Sequence, residues 1–519
     1  MKLALDFSFI TNLPEDLEQK NFRRKVKNTA FSFVQPKVPS HPELLHVNSE
    51  VADLLGISST DMHSQLFLEV FSGAKVYANS KPFSMAYSGH QFGQWSGQLG
   101  DGRAINLFEI VPKNKRFTVQ LKGAGETPYS RNGDGLAVLR SSIREYLCSE
   151  AMYNLGIPST RVLSVCTTGD MVLRDILYNG NPNYEKGAVV CRVAPTFIRF
   201  GNFELFASQN DLVSLKKLTD YTIQFFYPHI NLEAENSYLV FYKEVVQKTM
   251  HLVLQWQRVG FVHGVLNTDN MSILGETIDY GPYGWIENYD LSWTPNTSDA
   301  AEKRYRFENQ PNMVLWNLMQ LGNALFPLIQ DVEAMQKILR DFSVEFDINY
   351  SAIKQAKIGL SDRIDEVFHQ ELEELMYQSE ADMTIFFRNL GTILKMDSPE
   401  LAFSKIKGSF YRTTHFPVEI EQRWLVWIAT YLDKLATESE NDAARKIKMN
   451  AVNPKYIFRN YMAQMAIEAA EKGDFSLIAT FFTLLRNPYS EQEEQEKWFS
   501  KRPDWAKDKI GCSMLSCSS

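Results

Sequence analysis

HGVLNTDNMSILGETIDYG, residues 263–281, combines a His-Gly pair, an Asp-Asn pair and an Asp-Tyr-Gly triplet, separated by apolar residues that predict short strands. If the two residues at 275–276 form a turn, the segments on either side pair as an antiparallel hairpin over 271–280. Asn270 and Asp279 then meet at the open end of the hairpin. An amide oxygen and a carboxylate suit a hard cation such as Mg²⁺, whose shell is usually completed by substrate phosphates. The spacing therefore predicts a metal site at this pair, with turn capping as the alternative.

The composition of the 519-residue chain is that of an ordinary globular protein, with 44% hydrophobic and 22% charged residues. The net charge of -8 argues against a general nucleic-acid binder but is compatible with a local basic cleft for a phosphorylated small molecule. The apolar run 313–329 contains three amide side chains and a proline, which favours a buried helix over a membrane span. Any signal-peptide core is interrupted by acids, namely Asp6, Glu15, Asp16 and Glu18. We therefore expect a cytoplasmic protein with no nucleic-acid or membrane partner.

Glycine and aromatic residues dominate KPFSMAYSGHQFGQWSGQLGDG, residues 81–102. Clustered glycines allow backbone N–H groups to approach a phosphate, although ordinary turns use the same residues. In RFTVQLK, residues 116–122, apolar and polar residues alternate, which predicts a strand with one core face and Lys122 on the other. Apolar spacing then predicts a helix over 136–155 with Glu145 near its middle. Kinases pair such a lysine and glutamate and direct the lysine at nucleotide phosphates; the alternative is a surface lysine.

Short strands are predicted again between residues 162 and 203, including the segment GAVVCRVAPTFIRFGNFE. Arg192 and Arg199 lie among apolar residues in that segment. A guanidinium in such surroundings usually binds an anion, and a structural salt bridge explains it equally well.

Helical patterns dominate the rest of the chain. Apolar spacing predicts helices over 211–226 and 235–259, and the second of these leads directly into the segment quoted first. Beyond about residue 330 the helical patterns continue without a recognisable chemical constellation.

The five cysteines form no CxxC pair, which argues against a zinc site. Three of them lie in apolar surroundings and are predicted to be core thiols. Cys512 and Cys517 lie in a tail of small residues, GCSMLSCSS, which predicts mobile, solvent-accessible thiols with a redox role as one explanation and simple disorder as the other.

The order of these parts is that of a protein kinase: glycine-rich loop, strand lysine, helix glutamate, long helix, catalytic segment and Asp-aromatic-Gly. Set against the kinase pattern HRDLxxxN, His263 and Asn270 match, but Val265 occupies the position of the catalytic aspartate. Valine cannot accept a proton. The chain is therefore either a non-catalytic nucleotide-binding scaffold or an enzyme that catalyses a different reaction with the same arrangement of parts.

Five longer motifs follow one another along nearly the whole chain: SGHQFGQWSGQLGDGRA, QLKGAGETPYSRNGDGLAVLRSSIREYL, HGVLNTDNMSILGETIDYGPYG, RFENQPNMVLWNL and NPKYIFRNYMAQ. Together they resemble the selenoprotein O family, the kinase-like protein adenylyltransferases, in a bacterial form with Cys517 where many eukaryotic members carry selenocysteine. The resemblance implies an α+β, two-lobed, protein-kinase-like fold. Its expected parts are an N-terminal extension (1–75), a nucleotide-binding N-lobe (76–205), a C-lobe with the catalytic and metal-binding loop (206–345) and a helical C-terminal extension (346–519).

The same resemblance implies a function. Members transfer AMP from ATP to Ser, Thr or Tyr hydroxyls of protein substrates and release pyrophosphate, in a setting of redox homeostasis. The expected cofactors are ATP and Mg²⁺ or Mn²⁺. The alternatives are a non-catalytic pseudokinase scaffold that binds nucleotide, and transfer of another nucleotide, such as UMP.

Site residues carry over by motif. Asp269 would be the proton acceptor, and Asn270 and Asp279 would hold the metal. Lys122, held by Glu145, would contact phosphate. The remaining implied nucleotide contacts are mostly glycines and basic residues: Gly100, Gly102, Arg103, Asp134, Gly135, Arg192, Arg199 and again Asp279.

The tail departs from one family pattern. Some bacterial members carry a cysteine in the loop after the Asp-Tyr-Gly triplet that can pair with a tail cysteine, but residues 291–304 contain none. An intramolecular bridge to that loop is therefore not expected. Cys517 could instead pair with Cys512 or with a thiol partner from another molecule.

Overall fold

A large antiparallel sheet forms the N-terminal part of the computed structural model, which describes residues 1–176, 179–361, 365–412 and 416–516. The strands are β1 (Leu5–Asp6), β2 (Phe31–Phe33), β3 (Glu43–Val47), β4 (Phe83–Met85), β5 (Ser88–Gln91), β6 (Gln94–Gln98), β7 (Ala104–Ile110), β8 (Phe117–Lys122), β9 (Ala137–Val138), β10 (Arg161–Arg174), β11 (Asn183–Ala194), β12 (Phe261–Val262) and β13 (Gly284–Trp285). The main sheet has the order β2-β4-β7-β8-β11-β10-β3, with β1 on β7 and β9 on β11. Strands β5 and β6 form a separate hairpin, and β12 pairs with β13.

Helices account for about half of the remaining described residues. They are α1 (Ser8–Asn12), α2 (Ser49–Leu54), α3 (Ser59–Met62), α4 (Gln65–Ser72), α5 (Leu139–Asn154), α6 (Phe200–Ser208), α7 (Leu212–Phe226), α8 (Ser237–Val259), α9 (Gln310–Ile329), α10 (Val332–Ile358), α11 (Glu366–Gln378), α12 (Met383–Leu390), α13 (Pro399–Lys407), α14 (Val418–Thr437), α15 (Asp442–Val452), α16 (Asn460–Glu471) and α17 (Ser476–Leu484). In the described ranges, no helix is both long enough and apolar enough to cross a membrane. The chain is thus a mixed α/β protein, and the helices predicted near 211–226, 235–259 and 313–329 are confirmed.

Both faces of the main sheet are covered. On one face α5 packs through apolar side chains such as Ile143 and Leu147, and on the other Phe67 and Phe71 of α4 pack beside Leu121 of β8. The strand predicted at residues 116–122 is confirmed, but the face that carries Lys122 is buried as well, because helices lie on both sides.

Two predicted elements differ from the structure. The segment ending GNFE does not remain a strand, because the chain leaves β11 at Ala194 and residues Phe200–Ser208 form α6. The helix expected over 136–155 begins at Leu139, because Ala137 and Val138 pair with β11 first.

The hairpin predicted over 271–280 is wrong. Ser272 pairs with Arg199 and Thr277 pairs with Ser159, so the backbone groups of the two segments bind other parts of the chain instead of each other. The turn itself is present, since the Gly275 N–H donates to Ser272 O at 3.1 Å. Its glycine is required because φ is +69° and a Cβ would lie 2.9 Å from the Lys248 backbone.

The predicted mobility of the tail is also wrong at Cys512, whose side chain is buried. Leu515 pairs with Asn296 in a short parallel bridge, and the Thr297 N–H donates to Leu515 O at 2.8 Å. The Ser516 hydroxyl donates to Ile176 O at the end of β10. Packing against two separate segments therefore orders the tail as far as Ser516, while Cys517 lies outside the described residues.

Candidate active site

A cleft of about 880 Å³ lies beside the sheet and collects most of the predicted site residues. Its walls come from the glycine-rich region, the end of β8, the turn before β9 and the segment 265–282. The predicted residues that line it are Gly100, Gly102, Arg103, Lys122, Asp134, Gly135, Arg192, Asp269, Asn270 and Asp279. Glu145 and Arg199 lie behind the wall, where each contacts a lining residue.

The glycines of the GDG segment are required by packing. Gly100 has φ +106°, and a Cβ there would lie 2.5 Å from the Tyr129 ring. At Gly102 a Cβ would lie 2.8 Å from the Tyr129 carbonyl oxygen. The Tyr129 hydroxyl in turn makes a 2.7 Å hydrogen bond with Ser32. These contacts hold the glycine loop against the turn at 127–130, so that its backbone forms one wall of the cleft.

Three cations surround the carboxylate of Asp279. Lys122 Nζ lies 3.2 Å from its Oδ1, Arg192 Nη1 lies 2.6 Å from the same oxygen, and Arg199 Nη1 lies 2.6 Å from Oδ2. Burial alone would raise the pKa of Asp279, but the three positive charges outweigh burial and hold its pKa well below the usual value. Asp279 therefore stays an anion.

Glu145 completes this cluster from helix α5. It binds Lys122 at 2.8 Å and Arg192 at 3.0 Å, which is the lysine–glutamate pair that the strand-and-helix pattern predicted. Burial lowers the pKa of Lys122, and the charges of Glu145 and Asp279 act against that shift. Lys122 and Arg192, which these carboxylates hold in place, both line the cleft and can contact a polyphosphate there.

Asp269 has different surroundings. It lies in a 3₁₀ turn, Thr268–Asn270, and its Oδ2 accepts a 3.1 Å hydrogen bond from the Gln91 side chain. Its Oδ1 is buried without a partner. Arg199 donates to its backbone carbonyl at 2.8 Å rather than to its carboxylate. Burial raises the pKa of Asp269 to about 6, so the group is poised to accept a proton near neutral pH.

Asn270 and Asp279, the predicted metal ligands, both line the cleft. The Asn270 Nδ2 donates to Val265 O at 2.9 Å, which leaves its carbonyl oxygen as the end available to a cation. The Asp279 carboxylate is ionised and 21% exposed. Within the described ranges no group of three or more His, Cys, Asp or Glu side chains could hold a metal. Asn270 and Asp279 would each supply an oxygen ligand to a Mg²⁺-like ion that takes the rest from phosphates and water, and this metal site stays a prediction.

Several contributors were missed from the sequence. Gln91, the only side chain that hydrogen-bonds the Asp269 carboxylate in the described chain, lies in the motif GHQFG but carries no charge to signal its role. Asp101, inside GDGR, accepts from Met85 N at 3.1 Å and lies 3.9 Å from Arg199. Arg174 binds Asp134 through two 2.8 Å contacts at the rim, and no sequence signal links the two.

Comparison with known proteins identifies the family. The family model described as "Protein adenylyltransferase SelO" matches residues 16–486. The chain belongs to the SelO family. Among SelO relatives, the protein nucleotidyltransferase YdiU of Flavobacterium johnsoniae is 56% identical over 519 residues, covering 100% of this chain and 99% of the relative. Proteins of the same name from Rhodopirellula baltica and Azoarcus sp. are 46% and 47% identical, each over 100% of this chain and 99% of the relative.

Proposed function

We propose that this SelO family member transfers AMP from ATP to hydroxyl side chains of protein substrates and releases pyrophosphate. The chain is a protein nucleotidyltransferase, as the family assignment and the relatives' names agree. One observation carries the detailed proposal: Val265 stands where a kinase has its catalytic aspartate, yet the Asp269 carboxylate lies in the same cleft with one oxygen unpartnered.

The frame that we propose is a two-lobed, kinase-like one. It is supported by the 2.8 Å pair between Lys122 and Glu145, and by the order in which His263, Asn270 and Asp279 follow. His263 Nε2 bonds to Ile278 O at 2.8 Å, which ties the catalytic segment to the residue beside Asp279. The same proposal includes the N-terminal extension, the N-lobe, the C-lobe and the helical C-terminal extension, with boundaries 1–75, 76–205, 206–345 and 346–519.

The basic residues would bind the triphosphate. Lys122, Arg192 and Arg103 all line the cleft. Attack at the α-phosphorus breaks the bond to the bridging oxygen, and the leaving pyrophosphate takes the electron pair. Donors already in place stabilise that charge without reorganisation, and each is worth ~10²–10³-fold where this has been measured in enzymes. The ion pairs with Glu145 and Asp279 hold two of these cations in position before the nucleotide arrives.

Asp269 would supply the base. The acceptor hydroxyl donates to the Asp269 carboxylate, its proton moves to a carboxylate oxygen, and the hydroxyl oxygen bonds to the α-phosphorus. Gln91 orients the carboxylate through a hydrogen bond to Oδ2. A positioned carboxylate of this kind typically contributes ~10²–10⁴-fold.

Asn270 and Asp279 would hold Mg²⁺, or Mn²⁺, with the phosphates. When bound, the ion neutralises charge on the phosphate oxygens. Asp279 suits this role because the neighbouring cations hold its pKa well below the usual value and so favour the ionised carboxylate.

Intact-mass measurement tests the proposal. After incubation with an acceptor protein, ATP and Mg²⁺, the wild type should add an AMP-sized mass, and Asp269→Asn, which keeps the shape but cannot accept the proton, should not. ATP labelled at the α-phosphate should leave label on protein. Label from the γ-phosphate alone would instead show a kinase. Competition between ATP and UTP for transfer decides the nucleotide, and the absence of any transfer would leave the scaffold alternative.

A further inference from the structure

The β5–β6 hairpin carries two exposed aromatic side chains beside the cleft. Phe92 and Trp95 expose 40% and 45% of their surface. Phe92 lines the cleft, and its neighbour Gln91 donates to Asp269. Phe92, at the tip of the hairpin, therefore directly follows Gln91, whose side chain contacts the proposed base Asp269.

Arg304 packs against this tip. A Cβ on Gly93 would lie 3.0–3.2 Å from three atoms of the Arg304 guanidinium, so the glycine allows the cation to lie on the turn. The guanidinium also lies over the Trp316 ring at 5.0 Å and the Tyr305 ring at 5.9 Å. Aromatic faces attract a cation and fix its place.

The guanidinium of Arg304 has no carboxylate within ion-pair distance among the residues that the structure describes. Asp299 is near in the chain, but its two oxygens accept from the backbone N–H groups of Arg304 at 2.9 Å and Tyr305 at 2.7 Å. The Nε of Arg304 is buried without a hydrogen-bond partner. The Arg304 side chain as a whole is only partly buried, so the exposed part of its guanidinium can pair with an anion from outside the chain.

Direct contacts connect this surface to the cleft. The Tyr305 ring lies 5.3 Å from the Phe92 ring. The Tyr305 hydroxyl donates to Asn267 Oδ1 at 2.6 Å, and Asn267 lines the cleft. In the other direction the His90 ring contacts Trp316 at 5.3 Å and Trp95 at 5.0 Å. Arg304 itself is not among the lining residues, so its anion is distinct from the nucleotide phosphates.

We propose that Phe92, Trp95, Arg304 and Trp316, called here the acceptor surface, bind the substrate protein through a segment with an acidic side chain near the modified hydroxyl. The inference rests on the proposed transfer of AMP to hydroxyls. The guanidinium binds the carboxylate of the segment, while the aromatic rings pack against its apolar groups. The hydroxyl then enters the cleft past the hairpin tip and reaches Asp269.

A peptide library tests this inference. Each peptide carries one Ser, Thr or Tyr, and the flanking positions are randomised; transfer is followed with α-labelled ATP and Mg²⁺. We expect about tenfold enrichment of Asp or Glu near the hydroxyl in modified peptides. Arg304→Glu should reverse the preference toward Lys and Arg, and Arg304→Gln should abolish it. Arg306→Glu is the matched control, because Arg306 already pairs with Glu308 at 2.6 Å, and it should keep the wild-type preference.

The aromatic part has its own readout. Trp95→Ala should raise the KM for an acidic peptide severalfold and leave the KM for ATP unchanged, since Trp95 lies outside the cleft lining. Equal modification of acidic and basic peptides by wild type and Arg304→Glu would overturn the inference and leave the proposed function intact. A dimer that Arg304→Glu converts to monomer, with peptide preference unchanged, would also overturn it, because a second copy would then fill the surface. No label on any peptide or protein would overturn both proposals.

Discussion

Asp269 and Asp279 line the same cleft, the first buried and the second 21% exposed, and their surroundings move their pKa values in opposite directions. Burial raises the pKa of Asp269 to about 6, because the charge of Arg199 and the Gln91 hydrogen bond offset only part of that effect. At Asp279 burial is outweighed by Lys122, Arg199 and Arg192, and the pKa falls well below normal. The number of nearby cations, rather than the depth of burial, determines whether the carboxylate can accept a proton or stays an anion.

Asp279→Ala should have the largest effect. Removing the anion leaves Lys122, Arg192 and Arg199 facing one another with Glu145 as the main counter-charge. We expect AMP transfer to fall by about 10³-fold or more and the free energy of unfolding to fall by about 3–5 kcal/mol. Transfer assays and urea denaturation measure the two. A variant with normal stability would mean that the three cations do not depend on this carboxylate.

Asp269→Asn should lower the rate of AMP transfer without lowering the free energy of unfolding. Transfer should fall by ~10²–10⁴-fold, because the base is gone, while the fold should not weaken. At pH 8 the variant should be more stable than wild type, since it no longer buries a charge. A loss of stability comparable to that of Asp279→Ala would contradict the contrast between the two sites.

The pH dependence sharpens the same contrast. Because the base must be ionised, kcat/KM for the acceptor should rise with pH up to about 6 and then level off, and Asp269→Asn should lack this rise. For stability the sign follows from linkage. The pKa of Asp269 is above its ordinary value of 3.8 in the folded protein, so the folded state binds more protons between pH 4 and 6. The wild type should therefore lose stability relative to Asp269→Asn as the pH rises through that window.

Gln91→Met should give the smallest change. The Gln91 hydrogen bond favours the ionised carboxylate, so its loss should raise the pKa of Asp269 and move the rise in kcat/KM upward by less than about one pH unit. Methionine keeps a similar length and apolar stem. An unchanged pH profile would show that Gln91 only packs against the base.

Local patterns predicted the parts of the site but not how they meet. Lys122 and Glu145 were found because strand alternation and helix spacing are read from neighbouring residues, but their contact, 2.8 Å in the structure, was predicted only by analogy with kinases. The hairpin over 271–280 failed because pairing partners are chosen by the whole fold: Ser272 pairs with Arg199 and Thr277 with Ser159. Asn270 and Asp279 nevertheless line one cleft, held by contacts from elsewhere in the chain.

The unpredicted contributors share one property. Gln91 contacts Asp269 across 178 residues of sequence, and Arg174 at the end of β10 contacts Asp134 in the turn before β9 across 40 residues. The burial of Cys512 was missed for the same reason, because small polar residues predict exposure unless a distant surface covers them. Long-range packing decided each case.

The contact between the tail and residues 295–297 has a consequence for synthesis of the protein. The Asn296 side chain donates to Gly264 O at 2.9 Å, next to Val265 in the catalytic segment. The Thr297 hydroxyl donates to the carbonyl oxygen of Leu515, which lies 218 residues further along the chain. A ribosome adds about 5–20 residues per second, so the wait for that partner is on the order of ten seconds or more. The contact that Leu515 makes with Thr297 therefore forms only after nearly all of the helices have been synthesised.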